Sequence, residues 1–96
     1  MSQELIKQEI LSKLDVKFCL AKLTEEFMEA GEICMKMHNK KADKAPPIKA
    51  LIEELGDVLV RIEILALKLN IVDEVAQRVE SKFTKIVEYL KTYSQA

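Results

Sequence analysis

Leu51-Ile-Glu-Glu-Leu-Gly-Asp-Val-Leu-Val-Arg-Ile-Glu-Ile-Leu-Ala-Leu-Lys-Leu69 is the stretch whose spacing decides the fold. Leu51, Leu55, Val58, Ile62, Leu65 and Leu69 recur alternately four and three residues apart, the spacing of one face of a helix. Further apolar residues at Ile52, Leu59, Ile64, Ala66 and Leu67 make this helix, over about 47–69, apolar nearly all round. Such a helix needs cover on several sides. A chain of 96 residues can hardly supply it alone, so a partner subunit of the same kind, in a dimer or a tetramer, is expected.

Upstream, residues 39–47 hold adjacent prolines at 46 and 47 and form the one clear linker, because proline cannot continue a helix interior; Pro47 can instead open the next helix. Before the linker, about 16–38 reads as a second helix with the seam Val16, Leu20, Leu23, Phe27, Ala30, Cys34 and Met37. A shorter helix over about 3–14 precedes it, and Asp15 suits the cap between them. Downstream, Asn70 suits a helix end and Asp73 the cap of a last helix, about 73–93, with the seam Val72, Ala76, Val79, Phe83, Ile86, Leu90 and Tyr93. The expectation is one all-α domain over 1–96, a bundle of about four helices completed by oligomerisation.

Composition agrees. Apolar residues are 49% of the chain while Gly and Pro number two each, which disfavours sheet. The formal charge of −1, from 15 basic and 16 acidic groups, removes the broad attraction of a general nucleic-acid or membrane binder. Val58 to Leu69 is too short to span a bilayer and is interrupted by Arg61, Glu63 and Lys68. The first residues carry no basic segment and apolar run, so no secretory signal is expected. Cys19 and Cys34, on one helix, would lie roughly 22 Å apart, too far for a disulfide, and read as buried thiols in a reducing cytoplasm.

The second and third helices carry an internal repeat. Shifted by 28 residues, Leu23-Thr-Glu-Glu-Phe-Met-Glu29 lies over Leu51-Ile-Glu-Glu-Leu-Gly-Asp57. Glu26 and Glu29 thereby map onto Glu54 and Asp57, each pair three apart at the edge of its apolar seam, while Glu25 and Glu53 point further out. Packed by their seams, the helices would turn four carboxylates towards one another, and these would repel unless a cation joined them. Hard oxygen ligands with no His or Cys among them favour Mg²⁺, or Mn²⁺, over zinc. Scattered acids also make such pairs by chance on solvated helix faces. The matched seam positions favour metal.

Leu23-Thr-Glu-Glu-Phe-Met-Glu29 and Ile52-Glu-Glu-Leu-Gly-Asp-Val58 resemble the paired acidic motifs of the MazG-like, all-α nucleoside triphosphate pyrophosphatases. The resemblance runs from about Val16 to Lys85. It implies Mg²⁺-dependent hydrolysis of a nucleoside or deoxynucleoside triphosphate to the monophosphate and pyrophosphate, in keeping with house-cleaning of nucleotide pools. It also implies Glu26, Glu29, Glu54 and Asp57 as metal ligands, and a metal-bound water as attacking group with no separate catalytic side chain. Lys82 and Lys85 resemble the Lys-x-x-Lys segment that follows these motifs in relatives, and with Arg78 would contact the substrate phosphates. Lys36, in the helix column of Glu29, is a weaker candidate. Ile86 and Tyr89 depart from the family pattern, standing where relatives often have Asn and Arg.

Other readings compete. Lysines on helix flanks, and those at 40, 41, 44 and 49, are often merely solvated. His38, at a helix end, suits a charge partner of the helix terminus and takes no catalytic role. Phe18, Phe27 and Tyr89 offer aromatic rings that could stack on a base, although seam aromatics such as Phe27 usually serve a core. A ferritin-like di-iron protein needs Glu-x-x-His, which the chain lacks, since His38 follows Met35 by three. A non-catalytic helical module that dimerises or docks a partner explains the seams equally well. It leaves the matched acids unexplained.

Overall fold

The computed structural model describes residues 2–39 and 44–95. They form four helices, α1 (Gln3–Lys13), α2 (Val16–Asn39), α3 (Ile48–Leu69) and α4 (Val72–Gln95), and no strand. The chain is all-α, as its periodicity predicts. Local chemistry sets the boundaries. The Ser2 hydroxyl accepts from the Leu5 amide at 3.2 Å and opens α1. Asp15 Oδ1 accepts from the Phe18 amide at 2.7 Å and opens α2, as expected of a cap. Pro47, extended at φ −65° and ψ 152°, precedes α3. Lys40 and Lys41, in the linker, lie outside the described residues.

At the far end of α3, Asn70 takes the left-handed conformation at φ 58° and ψ 46°. Its amide donates to the Leu67 carbonyl at 3.2 Å, and the Ile71 amide donates to the Ala66 carbonyl at 2.9 Å. These are the paired bonds of a Schellman turn, which satisfy carbonyls the helix end would leave open. Asn tolerates the positive φ better than most residues. The chain reverses there and α4 begins at Val72, one residue ahead of the expected cap.

The main packing is α2 against α3 as an antiparallel hairpin, with α1 laid across one side of α3. Ile6, Ile10 and Leu11 of α1 line a small cavity together with Val60, Ile64 and Leu67 of α3. Lys7 pairs with Glu63, and the Lys68 ammonium donates to the Leu11 carbonyl at 2.7 Å, near the open C-terminal end of α1. The core is small: Cys19, Ala30, Val58, Ile64 and Ala66 are its buried apolar members.

The seam of α2 differs from the expected one. The stripe facing α3 is Val16, Cys19, Leu23, Glu26, Ala30, Ile33 and Met37, whereas Leu20, Phe27 and Cys34 are exposed. On α3, Leu51, Glu54, Val58, Ile62 and Leu65 face the partner helix, while Leu55 and Leu69 are exposed. The helices are thus turned by part of a residue step from the apolar stripe read in the sequence. Two corrections follow: Cys34 is not a buried thiol, and Glu26 and Glu54 stand inside the seam rather than at its edge.

Among the described residues α4 packs against α3 and touches neither α1 nor α2. Its Val79, Phe83, Ile86 and Val87 are 43–65% exposed. The radius of gyration of 17.1 Å, against about 13 Å for a compact chain of this length, reflects this projecting arm.

Candidate functional site

Glu26 and Glu54 meet because of the repeat. Antiparallel helices carrying the same motif are related by a local two-fold axis, so equivalent positions fall opposite one another in the hairpin. Oxygens of Glu26, Glu29 and Glu54 lie within 4.8 Å of one another. Asp57 contributes no atom to this trio. Its side chain is one methylene shorter than that of Glu29, its counterpart in the repeat, and both residues are exposed.

The electrostatics of the trio are unfavourable for carboxylates on their own. Oε2 of Glu26 and Oε2 of Glu54 are shielded from solvent and have no hydrogen-bond partner. Desolvation raises the pKa of both carboxyls, and neighbouring charge adds to it. For Glu26 the charges are Glu29 and Asp57, opposed by Arg61 and Lys22. For Glu54 they are Glu29, Asp57 and Glu26, and a hydrogen bond with Glu29 favours the protonated form further. Shielded oxygens without donors, converging from two helices, suit a cation.

Comparison with family models, with curated proteins and with solved structures yields no match to this chain. The site therefore stands on its own residues.

The surrounding acids behave differently. Glu25 pairs with Lys22 at 2.9 Å and Glu32 with Lys36 at 2.9 Å, both on the outer side of α2. Lys36, a phosphate candidate from the sequence, is thus engaged by Glu32. Arg78 and Lys82 line a shallow groove on α4 with Val75, Val79, Phe83 and Ile86, and Lys85 is exposed on the same helix. Since α4 does not touch α2, one chain does not bring these three cations to the trio. His38 Nδ1 lies 2.8 Å from Asn39 Oδ1 at the end of α2, away from the acids.

Arg61 is the residue the sequence reading passed over. It stands one turn beyond Asp57 and seven residues beyond Glu54, which places it on the seam side of α3, half-buried. Together with Glu26, Asp57, Lys13 and Phe18 it lines a cleft of about 590 Å³ between α1, α2 and α3. The signal was available: a cation at a seam register, next to acids, is as unusual as the acids themselves.

Proposed function

We propose that this chain is a Mg²⁺-dependent nucleoside triphosphate pyrophosphohydrolase of the MazG-like, all-α kind, releasing pyrophosphate and a nucleoside monophosphate. The observation that carries the reading is the pair of shielded, unpartnered carboxylate oxygens on Glu26 and Glu54, with Glu29 completing the trio. Buried polar groups are ordinarily satisfied, and uncompensated carboxylates in a seam cost stability. A divalent cation removes both difficulties, and oxygen-only ligands suit Mg²⁺ or Mn²⁺.

In this reading Glu26, Glu29 and Glu54 hold the metal, and Asp57, one turn along from Glu54, adds negative charge at the open side. Such an ion supplies charge neutralisation on phosphate oxygens and a more acidic water. The chain itself contributes a hairpin that fixes the carboxylates, and Arg61, whose charge acts on Glu26, as a cation for substrate oxygens. The reaction breaks the bridge between the α- and β-phosphates and adds the elements of water across it. Arg78, Lys82 and Lys85 serve the phosphates from α4, which in an oligomer would lie against another subunit. Nucleotide-pool house-cleaning in the cytoplasm fits this chemistry.

A second reading has an observation of its own. The exposed apolar stripe of α4 suits a dimerisation or partner-docking module with no chemistry. No helix among the described residues is long and apolar enough to cross a membrane, so that stripe is not a membrane span. The deciding experiment is a screen of canonical and modified triphosphates for pyrophosphate release with Mg²⁺ and with chelator. Release that needs Mg²⁺ supports the hydrolase. No release from any triphosphate ends it, and thermal stabilisation by Mg²⁺ then separates a metal-binding module from a metal-free one.

A further inference from the structure

We infer that the cleft between α1, α2 and α3 is a nucleotide pocket in which Phe18 receives the base and Arg61 the phosphates, a proposal that rests on the hydrolase reading for its triphosphate but on the cleft itself for its occupant. Its volume of about 590 Å³ lies within the roughly 300–1,000 Å³ of small-molecule sites. Its walls divide by chemistry. Ile10, Leu14, Val60 and Ile64 are aliphatic, Phe18 is aromatic, Arg61 and Lys13 are cationic, and Glu26 and Asp57 join it to the carboxylates.

Each division matches one part of a nucleotide. A planar, weakly polar ring fits an aliphatic slot closed by an aromatic face. Phe18 is placed for that role: the Asp15 cap at 2.7 Å fixes its backbone at the start of α2, and the side chain remains 43% exposed. Lys22 lies 5.9 Å from its ring centroid, so the ring already holds a cation on one side and has area to spare. An anion fits the guanidinium, which binds phosphate oxygens through a planar fork. Arg61 forms no ion pair within 4 Å among the described residues, although its charge acts on Glu26. The carboxylates require that the anion arrive with a cation. A ring, a phosphate and a divalent ion together describe a metal-bound nucleotide, and an apolar peptide side chain would leave Arg61 without a partner, Lys13 being already paired with Glu9 at 3.0 Å.

The test uses nucleoside monophosphates and ribose 5-phosphate, which lacks the base, titrated by calorimetry in Mg²⁺ buffer. The monophosphates should bind about 5- to 150-fold tighter than ribose 5-phosphate, the range of one base stacked on an aromatic ring. Phe18→Leu should remove most of that advantage and leave ribose 5-phosphate binding unchanged. Arg61→Gln should weaken both ligands together. Arg61→Lys, which keeps the charge beside Glu26 but loses the fork, should fall between, and melting temperatures establish that each variant is folded. If ribose 5-phosphate binds as well as the monophosphates, if Phe18→Leu keeps the base advantage, or if no nucleotide binds, the pocket assignment is overturned. The hydrolase reading fails separately. Base-dependent binding without pyrophosphate release sinks the hydrolase and keeps the pocket. Equal cleavage of nucleoside triphosphates and inorganic tripolyphosphate keeps the hydrolase and sinks the pocket.

Discussion

Leu59→Ala is the perturbation that best examines whether α3 is covered by a second copy of the chain. Leu59 is 66% exposed although it lies in the middle of the most apolar helix. By helical register it shares the face of the hairpin opposite α1 with Leu20, Phe27, Leu55 and Ile52, all of them exposed. The substitution removes three carbons. At about 0.8 kcal/mol per buried methylene, with about two-thirds of the area still to be covered, one copy loses about 1.6 kcal/mol of association. A two-fold interface uses the residue twice, so the dimer should lose about 3 kcal/mol, a dissociation constant weakened roughly 150-fold. The isolated fold should change by no more than about 0.5 kcal/mol, as for other surface positions. Sedimentation equilibrium of both proteins over nanomolar to micromolar concentration gives the answer. A wild type that is monomeric at micromolar concentration, or a Leu59→Ala constant within a factor of about three of wild type, refutes the reasoning.

Glu26→Gln and Glu54→Gln should each abolish pyrophosphate release and diminish the rise in melting temperature caused by Mg²⁺, yet melt higher than wild type in chelator, because one repelling charge is gone; Glu25→Gln and Glu32→Gln, whose carboxylates pair with lysines, are the controls. Burial and neighbouring carboxylates raise Glu26 and Glu54 in the fold. Their stabilising contribution is therefore complete only below the unfolded value and is lost as pH rises through the raised one. In chelator the melting temperature of wild type, relative to a Glu26→Gln, Glu54→Gln double variant, should fall as pH climbs from the acid carboxylate range to neutrality, and a flat difference would contradict the burial. Lys82→Gln and Lys85→Gln should weaken catalysis or substrate affinity with melting temperatures nearly unchanged; normal kinetics in both would remove α4 from the site. Gly56→Ala should stabilise α3 by about 0.5–1 kcal/mol, since an added Cβ meets nothing within 4 Å in the single chain; a loss in the melting temperature of the assembled protein would mean that another subunit comes close there.

The number of helices, their order and their ends were legible because they depend on local chemistry. Pro47, Asp15 and Asn70 act on their own backbone or that of near neighbours, and a reader needs no tertiary knowledge to place them. The phase of the seam was not legible in the same way. When apolar residues surround α3, several stripes satisfy the same four-and-three spacing, and only contact with α2 selects one. The choice made from sequence kept charges out of the interface, a sound rule for cores. Glu26 and Glu54 break it, which is why Leu20, Phe27 and Leu55, inward by apolar spacing, are exposed in the fold. The repeat made the meeting of the acids legible, since it fixes equivalence whatever the phase. It did not distinguish Glu29, which joins the trio, from its shorter counterpart Asp57, which does not. Arg61 is hidden for the same physical reason as the acids: within an apolar run a charged residue looks like an interruption, although its register makes it a member of the seam.

The Schellman turn at Asn70 sends a 24-residue helix away from the hairpin with its apolar stripe uncovered by its own chain. Helices in water draw most of their stability from packing, so if the chain assembles as proposed, the order of α4 would belong to an encounter rather than to one molecule. A newly synthesised chain would expose the stripe before it meets a companion, and its early fate is then a race between correct docking and clumping. Asp73, Glu74, Arg78, Glu80, Lys82 and Lys85 spread both signs of charge along the same helix and act as gatekeepers in that race, keeping the arm dissolved while it waits. In such an assembly dilution would return α4 to a fraying tail open to proteases, and the lifetime of the protein would become a function of its own abundance.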